Sequence, residues 1–518
     1  MPNEARSAID SGLRKPLAEP PPKRFSLRSG TRVVVLVGLF TSAAVYEAFR
    51  LSALVGLEVW SPLRTGLWIL QNRAVPRDGL FSQYPDLPWI AHSWGFDTLV
   101  AAAFGLAGLR ALPLLLMAFK VALAVTLFWL ARGSWRNFWP AVALAAVAQS
   151  AIPMEQLKPG LCSVLLLAVE LALLYHVRRT GNARQLWWLP LLFASWATLH
   201  IQFVYGLLVL VLFFAANLVE AVSGRFEAHW FEREEQPIPL ATTGAVIATT
   251  LLATLLPPYS YRLYEVMPRF FVGPISFRYL PEHYAVGFRQ PRDFVLLMLV
   301  MTAFFVLGRR HSRDFFQLAL LSSAAAVSFS TQRDCWVVAI VSVAVIADAL
   351  PVKVEDRVSN PVPSLWRPQN LVTVGLVLLT LLVASITKVP SSPEVLMADV
   401  AKALPVGACD YIRANHLPGP LFNAYEWGGF LTWYLPEYPV VIDGRVDLYG
   451  EDINVQYLKL TNAQIPLNSD DHFLMAGALL LEHNSPMAAA LSTGPRFTVA
   501  YQDSVATVLA DVSRLKGK

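Results

Sequence analysis

Charge is scarce in this chain of 518 residues. Only 15% of its side chains belong to Asp, Glu, Lys or Arg, whereas a soluble protein carries about 25%, so most of the chain has no solvated face. Cysteine is scarcer still. Cys162, Cys335 and Cys409 are the only three; two lie in apolar runs and the third is alone in a polar stretch, which argues against a disulfide framework or a cysteine metal site. The chain also lacks a Walker A loop, a Gly-x-Gly-x-x-Gly fingerprint, a zinc spacing and a Gly-x-Ser-x-Gly elbow. Nucleotide-driven pumping is therefore not expected. A net charge of +5 is too small for a nucleic-acid binder of this length.

Hydrophobicity is what the chain has in abundance: 55% of residues are apolar and the mean hydropathy is +0.47. A helix that spans a bilayer needs roughly 20 apolar residues. Runs of that kind lie near 33–49, 111–131, 138–154, 160–177, 186–200, 201–221, 238–257, 293–308, 315–330, 335–352 and 370–388. The stretch 94–109 is shorter and contains Asp97, which leaves a full span, a tilted half-helix or an interfacial segment open. No cleavable leader is expected, because the first apolar run begins after residue 32 and follows a basic tail.

Lys and Arg set the orientation. Residues 1–32 carry Arg6, Arg14, Lys15, Lys23, Arg24, Arg28 and Arg32 and are expected in the cytoplasm. Basic residues return at 132–136, 178–184, 225–233, 309–313 and 353–367, and these loops alternate with outward ones. Eleven spans satisfy every basic loop if 94–109 does not cross, so a membrane domain of 11–13 helices over 33–388 is expected. The long outer loop 50–92 belongs to it, and residues 389–518 emerge on the outer side.

Beyond Val389 the polar residues return. Helical spacing over 396–416, 426–435, 451–463 and 485–492 alternates with strand-like runs at Leu421–Tyr425, Val440–Asp443, Ala478–Glu482, Phe497–Tyr501 and Val505–Leu509. This predicts a small α/β domain. Its densest polar cluster, Asp443-Gly-Arg445-Val-Asp447-Leu-Tyr449-Gly450, reads equally as a salt-bridged structural turn and as a ligand loop.

Polar chemistry gathers on the outer face. Asp78 and Asp86 lie in the first outer loop, where a carboxylate at the lipid–water boundary can act as a general base. An amphipathic helix is expected over Ser61–Asn72, and His92 closes the loop. Glu155 and Lys158 flank one tight corner, His200 and Gln202 a second, Arg333 and Asp334 a third. Tyr259, Arg262, Arg269 and Arg278 occupy the fourth outer loop. Arginines outside run against the positive-inside bias, and guanidinium forks suit phosphate headgroups. Lys120 and Glu170 both lie inside apolar runs, which leaves pairing with each other or snorkelling toward the interface open.

The segments Trp196-Ala-Thr-Leu-His200, Pro257-Pro-Tyr-Ser-Tyr-Arg262-Leu-Tyr264, Phe422-Asn-Ala-Tyr-Glu-Trp-Gly-Gly-Phe-Leu431 and Val441-Ile-Asp-Gly-Arg-Val-Asp-Leu-Tyr-Gly450 are similar to those of largely uncharacterised bacterial membrane proteins. With its early helix, long acidic outer loop and outer tail domain, the chain resembles the GT-C membrane glycosyltransferases, which include protein mannosyltransferases and lipid A aminoarabinose transferases.

The resemblance implies transfer of a sugar from a polyprenyl-phosphate carrier to an extracytoplasmic lipid, glycan or protein, at the outer face of a bacterial inner membrane. Asp78, then Asp86, would be the acid. Lys158, Arg262 and Arg333 would hold the carrier phosphate, and His92, Glu155, His200, Gln202 and Tyr259 would line the substrate site. Similar proteins often carry His-Glu-Trp where this chain has His92-Ser93-Trp94, which shifts catalysis toward Asp78. No cofactor is expected, and the mechanism is read as metal-independent. Two other readings remain open: a non-catalytic glycan- or carrier-binding protein acting through Asp443, Arg445 and Asp447, and a lipid-linked sugar transporter driven through Lys120 and Glu170.

Overall fold

The computed structural model describes residues 27–132, 138–225, 238–272, 283–349 and 387–515, with 375, 379 and 383 singly. The basic tail before residue 27, Arg136, Arg233, Arg278, the loop with Lys353, Arg357 and Arg367, and most of the expected span 370–388 lie outside the described residues.

The helical part begins with α1 (Leu27–Arg50), α2 (Ser52–Val55), α3 (Trp60–Asn72), α4 (Trp94–Ala107) and α5 (Ala111–Arg132). It continues with α6 (Phe138–Ala151), α7 (Gly160–Thr180), α8 (Leu189–Leu199), α9 (Phe203–Arg225) and α10 (Leu240–Ala253). Then come α11 (Arg262–Val272), α12 (Pro291–Arg309), α13 (Phe315–Ser330) and α14 (Cys335–Ala349). Among the described residues, five stretches are long and apolar enough to cross a membrane: Thr31–Arg50, Trp94–Arg132, Gly160–Thr180, Phe203–Ser223 and Pro291–Arg309. Three shorter apolar helices, Phe138–Ala151, Leu240–Ala253 and Phe315–Ser330, lie among them. The chain is a multi-pass membrane protein.

Helix α14 is apolar all round and buried along nearly its whole length, as a helix without a polar face must be. It packs against α5, α6, α7, α12 and α13. At one end the bundle is tied by Arg178 to Asp314 at 2.7 Å, Arg179 to Asp348 at 3.6 Å and Gln317 to Asp348 at 2.8 Å. Exposed Trp129, Trp139, Trp187 and Trp188 sit where interfacial anchors belong.

The stretch Trp94–Arg132 is not one rod. Gly108, at φ 58° and ψ −146°, ends α4, a backbone geometry suited to glycine. The short turn Gly108–Arg110 then touches the tail segment α15 (Pro393–Val400). Residues 94–109 thus begin with a 14-residue helix, α4, that is separate from α5. Helix α4 lies along α3, the amphipathic helix expected near 61–72, and the two meet at Gly66, where an added Cβ would run into the Asp97 carbonyl.

The tail domain contains α15, α16 (Val406–Ala414), α17 (Gly428–Tyr434), α18 (Val446–Thr461), α19 (Asp471–Met475), α20 (Pro486–Ser492) and α21 (Val512–Leu515). Its strands β1 (Leu421–Asn423), β2 (Ala478–Glu482), β3 (Phe497–Gln502) and β4 (Ala506–Asp511) form a mixed sheet of order β1-β2-β4-β3. β1 runs parallel to β2, and the other neighbours are antiparallel. The expected helix 396–416 is two helices, parted at Ala401–Pro405 because proline cannot donate within a helix. The expected strand Val440–Asp443 does not join the sheet. Val440 pairs instead with Ser82 of the first outer loop, an association across more than 350 positions that local pattern cannot reveal.

Candidate functional site

The first outer loop is built from turns. Asp78 bridges to Pro88, and the Trp89 amide donates to the Arg77 carbonyl at 3.0 Å. This leaves the Asp78 and Asp86 side chains on the exposed surface. The next residues are clamped to the tail domain. Gln83 donates its backbone N–H to Val440 O at 2.9 Å, and its side chain donates to the carbonyls of Leu421 (2.8 Å) and Pro439 (2.9 Å). Tyr84 Oη lies 3.2 Å from His472 Nδ1; burial, with Asp470 nearby, pushes the Tyr84 pKa up to about 12.

The tail motif closes the same seam. Arg445 donates from Nε to both Asp443 oxygens at 2.9 and 3.0 Å, and from Nη2 at 2.6 Å, while Nη1 donates to the Leu80 carbonyl at 2.8 Å. Tyr449 Oη donates to Asp443 at 3.1 Å. Burial opposes the Arg445 charge, but Asp443 outweighs it and holds the guanidinium pKa above its ordinary value. The same guanidinium lies 4.7 Å from the Trp89 ring centre and 5.8 Å from that of Phe81, and Trp89 Nε1 donates to Asp447 at 3.1 Å. Asp443, Arg445 and Asp447 therefore form a clasp between domains, with the Arg445 fork spent on Asp443.

A second cluster lies where α7, α8 and α9 meet. His200 Nδ1 is 2.9 Å from Ser163 Oγ, which accepts from Trp196 Nε1 at 2.8 Å. The His200 and His92 rings are 6.0 Å apart, and the charged groups that act on His200 are His92, Arg333 and Lys158. Asp334, fully buried, holds Arg333 at 3.1 Å and accepts from Gln202 at 2.6 Å. Lys158 is held by Glu58 at 3.2 Å. The structure thus gathers His92, Lys158, His200, Gln202 and Arg333, residues spread over four segments of the chain. Burial lowers the His92 pKa below its ordinary 6.5, and Asp447 opposes that shift.

Beside this cluster is an open groove of about 580 Å³ lined by Trp94, Ser195, Thr198, Leu199, Leu256 and Pro257. Trp94 and Leu199 are two residues from His92 and one from His200 in the chain.

Tyr259 is buried and donates to the Pro76 carbonyl at 2.5 Å, fixing the base of the outer loop. Arg262 starts α11 and lies 3.8 Å from Glu265, on the surface. Glu155 is exposed, and its carbonyl accepts from Ser52 Oγ at 2.7 Å. Asp97 was named from sequence only as a complication in an apolar run. It is buried, bonded by Ser93 Oγ at 3.1 Å, and under the electrostatic influence of Asp447 and Arg445. An acid in an apolar stretch was the signal that singled it out.

Lys120 does not pair with Glu170. It pairs with Glu47 of α1 at 2.7 Å, and Glu47 also accepts from Ser52 Oγ at 2.6 Å and from the Ala53 amide at 3.2 Å. Glu170 is buried with neither carboxyl oxygen hydrogen-bonded, packed against Gly206, Phe193 and Trp196. Among the described residues, no three His, Cys, Asp or Glu side chains converge as metal ligands would.

No model of a known protein family matches the chain, and no curated protein matches it either. Among solved structures it is similar to ArnT from Cupriavidus metallidurans. The apo crystal structure aligns at 16% identity with a TM-score of 0.46, covering 92% of this chain and 98% of that one. The crystal structure bound to undecaprenyl phosphate aligns at 15% identity with a TM-score of 0.47 and the same coverage. At these values no residue of one chain is matched to a residue of the other.

Proposed function

We propose that this chain is a membrane glycosyltransferase that moves a sugar from a polyprenyl-phosphate carrier to an acceptor at the outer face of the inner membrane, with its N-terminus in the cytoplasm. The observation that carries the reading is the convergence of His92, His200, Lys158 and Arg333, with an open, largely apolar groove at Trp94 and Leu199. The groove would take isoprenoid chain, and Lys158 and Arg333 the phosphate. In the reaction a carboxylate accepts the proton of the acceptor group as that group bonds to the anomeric carbon. The bond from that carbon to the carrier phosphate breaks, and the phosphate leaves with the electron pair. Lys158 and Arg333 would stabilise the growing negative charge, and Arg262 would meet the carrier from the outer surface. Asp78 remains the first choice for the base and Asp86 the second; Asp97, buried and bonded by Ser93 at the start of α4, is a third.

A binding protein acting through the tail loop is less well supported, since Arg445 is spent on Asp443. A transporter worked by a Lys120–Glu170 pair loses its pair.

Native mass spectrometry of the purified protein tests the reading. A polyprenyl phosphate, or its sugar ester, is expected to co-purify, and to be lost when Lys158 and Arg333 are both changed to Gln. Asp78→Asn and Asp97→Asn are expected to retain the carrier, and the one that abolishes transfer identifies the base. Bulk phospholipid alone in the wild type would sink the donor assignment.

A further inference from the structure

Arg445 is neutralised by Asp443, but a second arginine in the same stack is not. Arg64, on α3, lies 4.6 Å from the centre of the Phe81 ring, whose other cationic neighbour is Arg445 at 5.8 Å. Four side chains from three parts of the chain, Arg64, Phe81, Arg445 and Trp89, thus alternate cation and ring. Among the described residues no carboxylate pairs with Arg64, and its Nε is buried with no hydrogen-bond partner. A guanidinium does not shed its charge in a protein, so half-burying it without an acid leaves a desolvation cost unmet. Burial alone acts on Arg64, pulling its pKa down.

Phe81 supplies an independent sign. Its φ is 69°, a region bulky residues rarely occupy. The Val440 amide bonding to its carbonyl and the Ser82 bridge hold it there. Strain of this kind persists where the surroundings over-determine it, often at ligand sites. Here it fixes the ring that presents one face to Arg64.

We propose that Arg64 is an anion-binding residue that takes a phosphate or carboxylate group of the acceptor at the junction of α3, the first outer loop and the tail domain. A guanidinium stacked on an aromatic face keeps its N–H edge for bidentate pairing with such an oxyanion. The acceptor is named on the strength of the glycosyltransferase reading, because the Lys158–Arg333 cluster at the groove is already the fit for the carrier. The phosphate of an anionic phospholipid would offer the same chemistry.

The full chain in phosphatidylcholine nanodiscs is titrated calorimetrically with inorganic pyrophosphate. The wild type is expected to bind at two sites, with one lost in Arg64→Gln and a different one in Arg333→Gln, each weakened roughly tenfold or more. Arg64→Lys should keep part of the affinity. Phe81→Leu, which leaves the charge in place, should weaken the Arg64 site several-fold at an unchanged unfolding temperature. Repeating the titration with phosphatidylglycerol in the disc separates the sources. Competition at the Arg64 site identifies a lipid headgroup as its occupant, and none identifies a soluble or glycan-borne anion. Wild-type stoichiometry and affinity in Arg64→Gln, or no pyrophosphate binding by the wild type, overturns the proposal. No transfer is measured, so that failure is separate from failure of the carrier to co-purify.

Discussion

The Arg445 guanidinium lies 4.7 Å from the centre of the Trp89 ring, and the indole N–H of Trp89 donates to Asp447, two residues beyond Arg445. One ring of the outer loop is thereby gripped on its face and at its edge by the same tail turn. Because Asp443 is fully buried beneath Arg445, Arg445→Met leaves an unpaired buried carboxylate, and a loss of about 3–5 kcal/mol is expected. Trp89→Phe, which removes the edge contact, should cost about 1 kcal/mol. Thermal unfolding reads both. Limited trypsin digestion at exposed Arg77 should rise in the same order, and no change at Arg77 would mean that the loop holds without the clasp.

The α3–α4 contact is set by the lack of a side chain at Gly66. An added methyl meets the Asp97 carbonyl and the Ala101 Cβ, both on a packed helix that cannot yield locally. Gly66→Ala is expected to destabilise by about 1–3 kcal/mol and to displace Asp97 from Ser93. Gly38→Ala, which meets nothing within 4 Å, serves as the neutral control. Equal unfolding temperatures for the two variants would contradict the close approach.

Within the bundle, the two charged positions named from sequence part company. Lys120→Met strips Glu47 of its cation and should cost about 3–5 kcal/mol. Glu170 has no partner to lose, so Glu170→Gln should alter stability little. Yield and unfolding temperature in one detergent compare the two directly; a large loss for Glu170→Gln with none for Lys120→Met reverses the assignment.

Acid should loosen the site through His92. Burial depresses its folded pKa below 6.5, so the unfolded chain takes up a proton there before the folded chain does. The stabilisation from neutral His92 is therefore complete above about pH 6.5 and is lost as the pH falls toward the folded pKa. His92→Gln should flatten the unfolding temperature between pH 7 and 5. Asp447→Asn removes the opposing charge, depresses His92 further and should steepen it. A pH profile identical in all three proteins would exclude His92 as the titrating group.

Much of the architecture was legible in the amino-acid order, because it depends on local quantities. Apolar runs long enough for a bilayer declare themselves, and the helices over 111–132, 160–180 and 315–330 lie where the runs predict. Strand β2 spans Ala478–Glu482, the same residues as its apolar run. The outer corners with His92, Lys158, His200, Gln202 and Arg333 were readable as polar residues at the ends of spans. Their convergence was not, since it depends on how four segments pack.

Only the tertiary structure decided the remainder. It turned Val440 from a sheet strand into a partner of Ser82, gave Lys120 to Glu47, spent Arg445 on Asp443 and left Arg64 without an acid. For Val440 and Lys120 the deciding partner is far away in the chain. Periodicity reports which face of an element is apolar; it carries no information about which distant charge or carbonyl will arrive to meet a buried polar group.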